Sequence, residues 1–191
     1  ELSNPKMLEM ISRRPELPLN LGTGGSTIQE IHRAVRYLNN FNFNKIYLAH
    51  GLQNFPTDIY NINFYKMKEL MKTFDYEFIY CDHTDYRSDV HQYIDYVALG
   101  IGIKIFEKHY ILKNNKKLID NESSLSADNL EKYVKNLQGV AKSLSSSKSI
   151  GLSEKKYRQF QKKSTILKNP LKKGEKITLE AVSFKRDVGN K

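Results

Sequence analysis

The sequence predicts an α/β chain built on a parallel sheet, and three observations predict it. Short apolar runs recur about every thirty residues, amphipathic segments of helical period lie between them, and most runs close on Gly, His or another polar residue. Strand alternating with helix at that spacing implies right-handed crossovers. Four such units are half of an eight-unit barrel or a small open sheet, and periodicity alone does not separate the two.

The elements follow in order. Asn4-Pro5 before Met7, Leu8 and Ile11 predicts a capped amphipathic helix with Pro at its first position. Leu17 to Leu21 is a short strand ended by Gly22-Thr23-Gly24-Gly25. Ser26 with Gln29 reads as a capping box, opening a helix whose apolar face carries Ile28, Ile31, Val35 and Leu38. Lys45 to His50 is the second strand, closed by Gly51, and after Phe55-Pro56-Thr57 a helix covers roughly Asn61 to Phe74. Glu77 to Cys81 is the third strand. Residues 88–99 form a helix with Val90, Ile94, Val97 and Ala98 facing inward, and Ile103 to Tyr110 is the fourth strand. A polar loop from Lys113 to Ser124 leads to Ser126-Ala127-Asp128, the start of a helix through about Ser143. Residues 144–163, rich in Ser and Lys, read as a linker. Beyond it, Ser164–Leu167 and Ile177–Glu180, around a turn from Pro170 to Glu175, look like a small β-rich module.

Composition bounds the function. The chain has 191 residues, enough for a real core, with a 39% hydrophobic fraction ordinary for a soluble protein. No apolar run approaches the roughly 20 residues that span a bilayer. The first residues carry no secretory signal, and the single Cys81 excludes an intramolecular disulfide, so a reducing, cytoplasmic setting is expected. The net charge of +10 is unevenly placed. Residues 1–150 hold nineteen Lys/Arg against seventeen Asp/Glu, and residues 151–191 hold twelve against four. Basicity therefore belongs to the tail, as a solvated charge run or a contact for an anionic partner. The tail has only Tyr157, Phe160 and Phe184 as aromatics and no recognised nucleic-acid motif, so no nucleic-acid partner is expected.

Two segments carry the chemistry. Tyr80-Cys81-Asp82-His83-Thr84 ends one strand, and Phe106-Glu107-Lys108-His109-Tyr110 ends another one βα unit later. If those strands are neighbours, both imidazoles emerge at the same C-terminal edge, where α/β proteins do chemistry, and can share one metal ion. His50 closes its own strand, and His32 and His91 read as surface residues on helix faces.

These motifs in this order, Leu-Gly-Thr-Gly-Gly at 21–25, His50 with Phe55-Pro56, Asp82-His83-Thr84, Glu107-Lys108-His109-Tyr110 and Leu125-Ser126, resemble the sialic acid synthase family. So does the tail, where Lys172–Thr178 and Lys185–Gly189 look like the opening of that family's antifreeze-like (SAF) domain. The resemblance implies a partial (β/α)8 TIM barrel: residues 1–143 as its C-terminal half, 144–163 as a linker, and 164–191 as the truncated start of the SAF domain. It implies condensation of phosphoenolpyruvate with N-acetylmannosamine or a related N-acetylated amino sugar, releasing phosphate, in an enzyme that is a homodimer when full length and has no membrane partner. This stretch alone is expected to be inactive.

Carried over residue by residue, the resemblance makes His83 and His109 the ligands of a divalent metal, Mn2+ or Mg2+. Glu1 and Asp120 become the acidic residues of proton transfer. Gly22, Thr23 and Cys81 fall at the phosphate of phosphoenolpyruvate, and Gln53 and Phe55 at the amino sugar. His50 matches a family position outside the ligand set. The sequence departs from the family at Gly22, Gly51 and Cys81, where members commonly carry hydroxyls, although backbone N–H groups of the Gly-rich turn can hold an anion. Three readings follow: a divergent synthase, a degenerate non-catalytic barrel of the same ancestry, and an anion- or nucleic-acid-binding module acting through the basic tail.

Overall fold

Five strands lie side by side in chain order, β1 (Leu19–Gly22), β2 (Ile46–His50), β3 (Glu77–Asp82), β4 (Ile105–Ile111) and β5 (Ser124–Ser126), and every neighbouring pair is parallel. The computed structural model describes residues 2–112, 118–144 and 149–186. They divide into two compact units at Leu144/Ser145. The first unit also holds α1 (Pro5–Ile11), α2 (Ile28–Asn39), α3 (Phe64–Thr73), α4 (His91–Gly100) and α5 (Ala127–Ala141). A strand order that follows the chain without reversal is the winding of a barrel wall; a doubly wound sheet reverses at a switch point.

Alternation along the strands decides what faces what. Leu21, Ile46, Leu48, Phe78 and Tyr80 pack with Ile31, Ala34, Val35 and Leu38 of α2, Met67 and Leu70 of α3, and Ile94 and Ala98 of α4 in one large core. The intervening Ala49, Ile79 and Cys81, with Tyr47 and Ile105 against them, form a small cluster on the opposite face. That second face is where the chemistry-bearing residues stand.

The four expected strands are present with shifted ends, and a fifth joins them. β5 is three residues of Ser-Leu-Ser inside what reads as loop and helix start, too short and too polar for a periodicity signal. The α2 cap sits one residue later than expected. Thr27 Oγ1 accepts from Glu30 N at 3.2 Å while Glu30 Oε2 accepts from Thr27 N at 2.7 Å, so the capping box is Thr27/Glu30 rather than Ser26/Gln29. On α4 the buried stripe is His91, Ile94, Asp95, Ala98 and Leu99, and Val90 and Val97 are exposed. The expected stripe followed apolar identity, whereas the helix turns two polar side chains inward to meet a buried charge.

The second unit contains α6 (Leu152–Gln161) and an antiparallel pair, β6 (Lys163–Leu167) with β7 (Val182–Arg186). The stretch read as a linker thus carries a helix, begun where Glu154 Oε2 accepts from Gly151 N at 2.9 Å. The partner of β6 is residues 182–186, and residues 177–180 precede it in non-strand conformation. Among the described residues no helix is long and apolar enough to cross a membrane.

Two substitutions check the packing by urea unfolding of the intact protein. Leu48→Ala, at a fully buried position in the large core, is expected to cost about 2–5 kcal/mol. Val97→Ala is expected to stay within about 0.5 kcal/mol, because an exposed β-branched residue gives way to a better helix former. A large loss at Val97 would contradict the orientation of α4.

Candidate functional site at the strand ends

Residue 83 follows β3 directly, and His109 lies near the end of β4, so the paired strands deliver both imidazoles to one edge. Their ring centroids are 5.0 Å apart, edge to face. Phe55, from the loop after β2, lies against both, 4.6 Å from His83 and 5.1 Å from His109. His83 is held on three sides. Its carbonyl accepts from Thr57 N and from Ser123 Oγ, each at 2.7 Å, and its Nδ1 is 2.5 Å from the Leu52 carbonyl.

That last contact fixes which ring nitrogen is free. A carbonyl accepts only, so Nδ1 of His83 carries a hydrogen, and in the neutral imidazole it is Nε2 that keeps the lone pair. Nδ1 of His109 stands 3.6 Å from Asp120 Oδ2, just beyond hydrogen-bond distance, so a carboxylate lies beside this ring without bonding it. Metal-ligating histidines are oriented as His83 is, and the two rings fit a divalent ion. Among the described residues no set of three or more His, Cys, Asp or Glu gathers as a metal site.

One pleat towards the strand N-termini, about 6–7 Å lower, Cys81 and Glu107 share a cavity of about 360 Å3 with Asn20, Gly22, Gly24, Ala49, Gly51 and Gln53. Burial and the adjacent Glu107 push the Cys81 thiol up to about 12, so it stands in this cavity as an S–H group. Thr23 is buried and donates to the Ala49 carbonyl through both N (2.8 Å) and Oγ1 (3.1 Å), so its hydrogens serve the loop. The structure therefore brings Gly22, Gln53 and Cys81 to one cavity, and His83, His109, Phe55 and Asp120 to the rim above it. Glu1 lies outside the described residues.

Two glycines let the strand ends close in. A Cβ on Gly24 would come under 3.0 Å from the Gly51 carbonyl oxygen, and one on Gly51 under 3.0 Å from the Cys81 carbonyl oxygen. Gly22 has open space. Of the two glycines that replace a hydroxyl residue, position 22 has room for a side chain and position 51 does not.

On the helix face behind the histidines sits a buried charge network. Lys108 Nζ, on a side chain only 5% exposed, contacts Asp82 Oδ2 and lies 2.6 Å from Asp95 Oδ2. Asp82 also accepts from Thr84 N (3.2 Å), Thr84 Oγ1 (3.1 Å) and Tyr80 Oη (3.2 Å). Thr84 Oγ1 in turn lies 3.1 Å from His91 Nδ1. His91 is therefore a buried member of this network, correcting its reading as a surface residue; its position on a helix gave no sign of the charge beneath it. Against opposing burial, Lys108 and the Thr84 donors hold Asp82 below the usual carboxylate range. Burial, with Asp82 nearby, pushes Asp95 up to about 6 despite Lys108. His50, 3% exposed, has Nε2 3.3 Å from the Ile62 carbonyl and faces the α3 side, and burial lowers its pKa. His32 is exposed, with Phe74 4.4 Å away.

Sequence reasoning did not single out Asn20, Asp95 or the Leu52 carbonyl, and it quoted Glu107 and Lys108 only as parts of the His109 motif, with no role of their own. For Glu107 the signal was present, since it lies two residues before His109 and so on the same strand face. The Leu52 carbonyl has no side-chain signature.

The NeuB family's sequence profile matches residues 1–149. The uncharacterized protein MJ1065 of Methanocaldococcus jannaschii is 30% identical over 94% of this chain and 52% of its own length. N,N'-diacetyllegionaminic acid synthase of Campylobacter jejuni is 27% identical over 97% of this chain and 55% of its own length. The crystal structure of N-acetylneuraminic acid (sialic acid) synthetase from Leptospira borgpetersenii superposes with a TM-score of 0.71 at 24% identity, covering 82% of this chain and 54% of that one. The last likeness shows the fold. The chain spans about half the length of the curated relatives it matches.

Two predictions rest on this geometry. Gly22→Ser is expected to leave the thermal midpoint of the intact protein unchanged, while Gly51→Ser lowers it clearly, because its Cβ must displace backbone; equal midpoints would contradict the close approach at Gly51. For Asp95, a folded pKa near 6 lies above the unfolded value near 3.9, so its contribution is full in acid and is lost as pH rises from about 4 to about 6. Asp95→Asn removes that loss. Urea titrations should show the variant gaining on the parent across that window, and a constant difference would contradict the shift.

Proposed function

The chain belongs to the NeuB family, and from that premise we propose that it forms part of a sialic-acid-type synthase, condensing phosphoenolpyruvate with an N-acetylated amino sugar. The enol carbon bonds to the sugar's aldehyde carbon, one water is taken up, and inorganic phosphate leaves. The observation that carries the reading is the imidazole pair, 5.0 Å apart at the C-terminal edge of a parallel sheet, with His83 tied back through Nδ1 so that its Nε2 lone pair is free.

A divalent cation such as Mn2+ or Mg2+, when bound, supplies Lewis-acid polarisation of the aldehyde oxygen. His83 and His109 hold that site, and Phe55 excludes water from one side of both rings. Asp120, whose Oδ2 is 3.6 Å from His109 Nδ1, receives a hydrogen bond from the sugar and helps manage the proton of the new hydroxyl. Phosphoenolpyruvate occupies the cavity lined by Gly22, Gln53 and Cys81, its phosphate on the backbone amides of the Gly-rich turn. In this reading the protein works in the cytoplasm as a homodimer, and residues 164–191 open an SAF domain.

A second reading has an observation of its own. The same cavity carries the Glu107 carboxylate, lacks the hydroxyls that family members commonly carry at positions 22, 51 and 81, and cannot accept one at position 51. A barrel that retains the histidine pair without condensation is consistent with that chemistry.

The test uses the intact protein with Mn2+, phosphoenolpyruvate and a panel of N-acetylated amino sugars including N-acetylmannosamine. Phosphate release is expected with at least one sugar and is expected to fall about 100-fold or more in His83→Ala. Release no greater than that of the variant would sink the synthase reading, and Mn2+ binding without turnover would favour the degenerate barrel.

A further inference from the structure

Asp82 and Lys108 are register partners on β3 and β4, and each immediately precedes one histidine of the pair. Because strand side chains alternate, they point to the helix face while His83 and His109 point to the other. On that helix face Lys108 is enclosed between two carboxylates, Asp82 and Asp95, whose side chains are 2% and 1% exposed. A buried ammonium cannot be left without a partner, and a slip of β4 by one residue against β3 would separate Lys108 from Asp82 and turn His109 away from the face that holds His83.

We infer that the Asp82–Lys108–Asp95 network is a register lock that sets the spacing of the two imidazoles from behind the sheet, making these three positioning residues. The metal part of this inference rests on the proposed histidine pair; the geometric part does not. Each link of the lock is short. Asp95 ties Lys108 to α4, and Asp82 ties it to the Thr84 turn, so β4, β3 and the β3–α4 connection share one charge centre. Only a peptide unit separates that centre from either histidine. Setting the register is among the best-attested uses of a buried ionic group.

The experiment compares three forms of the intact protein with the parent. Lys108→Met breaks the lock. Lys108→Met/Asp95→Asn breaks it while removing one charge of each sign, leaving Asp82 with its Thr84 and Tyr80 donors, and so decides the matter if the single variant fails to fold. Lys45→Met/Glu77→Gln removes an exposed ion pair of 2.5 Å near the opposite ends of β2 and β3 and serves as the control. Two readouts are taken: Mn2+ affinity by electron paramagnetic resonance titration, and, without metal, the nuclear Overhauser contact between the ring protons of His83 and His109. The lock predicts about ten-fold or greater loss of Mn2+ affinity and loss of the ring contact in both Lys108 variants, with neither change in the control. Affinity within two-fold of the parent and a retained ring contact in the folded double variant would overturn it. His83→Ala calibrates the metal arm. If that variant binds Mn2+ as the parent does, the metal reading fails, and the ring contact alone decides the lock.

Discussion

Lys108 is an ammonium group placed where water cannot reach it, and much of this structure answers to that fact. Removing such a charge from water costs several kcal/mol, recovered only if counter-charges and hydrogen bonds are already in position. Asp82 supplies one from the neighbouring strand and Asp95 another from α4. Asp82 in turn fills its remaining acceptor sites with Thr84 and Tyr80. The electrostatic demand of one side chain therefore ties two strands, a helix and a turn together, at the strand end where the histidines leave the sheet.

The two faces of the sheet divide the work. Towards the helices, large apolar side chains and the charge network make a packed layer with little freedom. On the other face the residues are small or polar, from Asn20 and Gly22 to Ala49, Gly51, Cys81 and Glu107, and they line a cavity instead of filling it. Glycines at 24 and 51 draw the strand ends together by removing side chains from backbone contacts. The same closeness that shapes the cavity denies it a hydroxyl at position 51. The donors this face offers to the anion proposed for it are backbone amides, the Gln53 amide and the Cys81 S–H group, a weaker set than a row of hydroxyls.

Much of this was legible in the sequence. Apolar runs bounded by glycine or histidine located β1 to β4, because parallel strands buried on both faces, as β2 and β3 largely are, read as short continuous apolar runs, and the Asp82-His83 and Lys108-His109 motifs marked the edge of interest. Other features left weaker traces. β5 is three residues with two serines, held by its pairing with β4. The inward face of α4 was legible only at Ile94 and Ala98; Asp95 and His91 are buried for electrostatic reasons, so a reading by apolar stripe placed Val90 and Val97 inward in their stead. The free nitrogen of His83 depends on the Leu52 carbonyl, a backbone group no side-chain pattern announces. In each case the missing information was a long-range pairing, not a local propensity.

The central claim is that β3 and β4 hold two imidazoles in a fixed arrangement suited to one divalent ion. Anomalous scattering from crystals of the intact protein soaked in Mn2+ tests it most directly. The account predicts one strong peak at coordination distance from Nε2 of both His83 and His109, with Nδ1 of His83 still on the Leu52 carbonyl. A peak bound elsewhere, or none at the pair under saturating Mn2+, would contradict it.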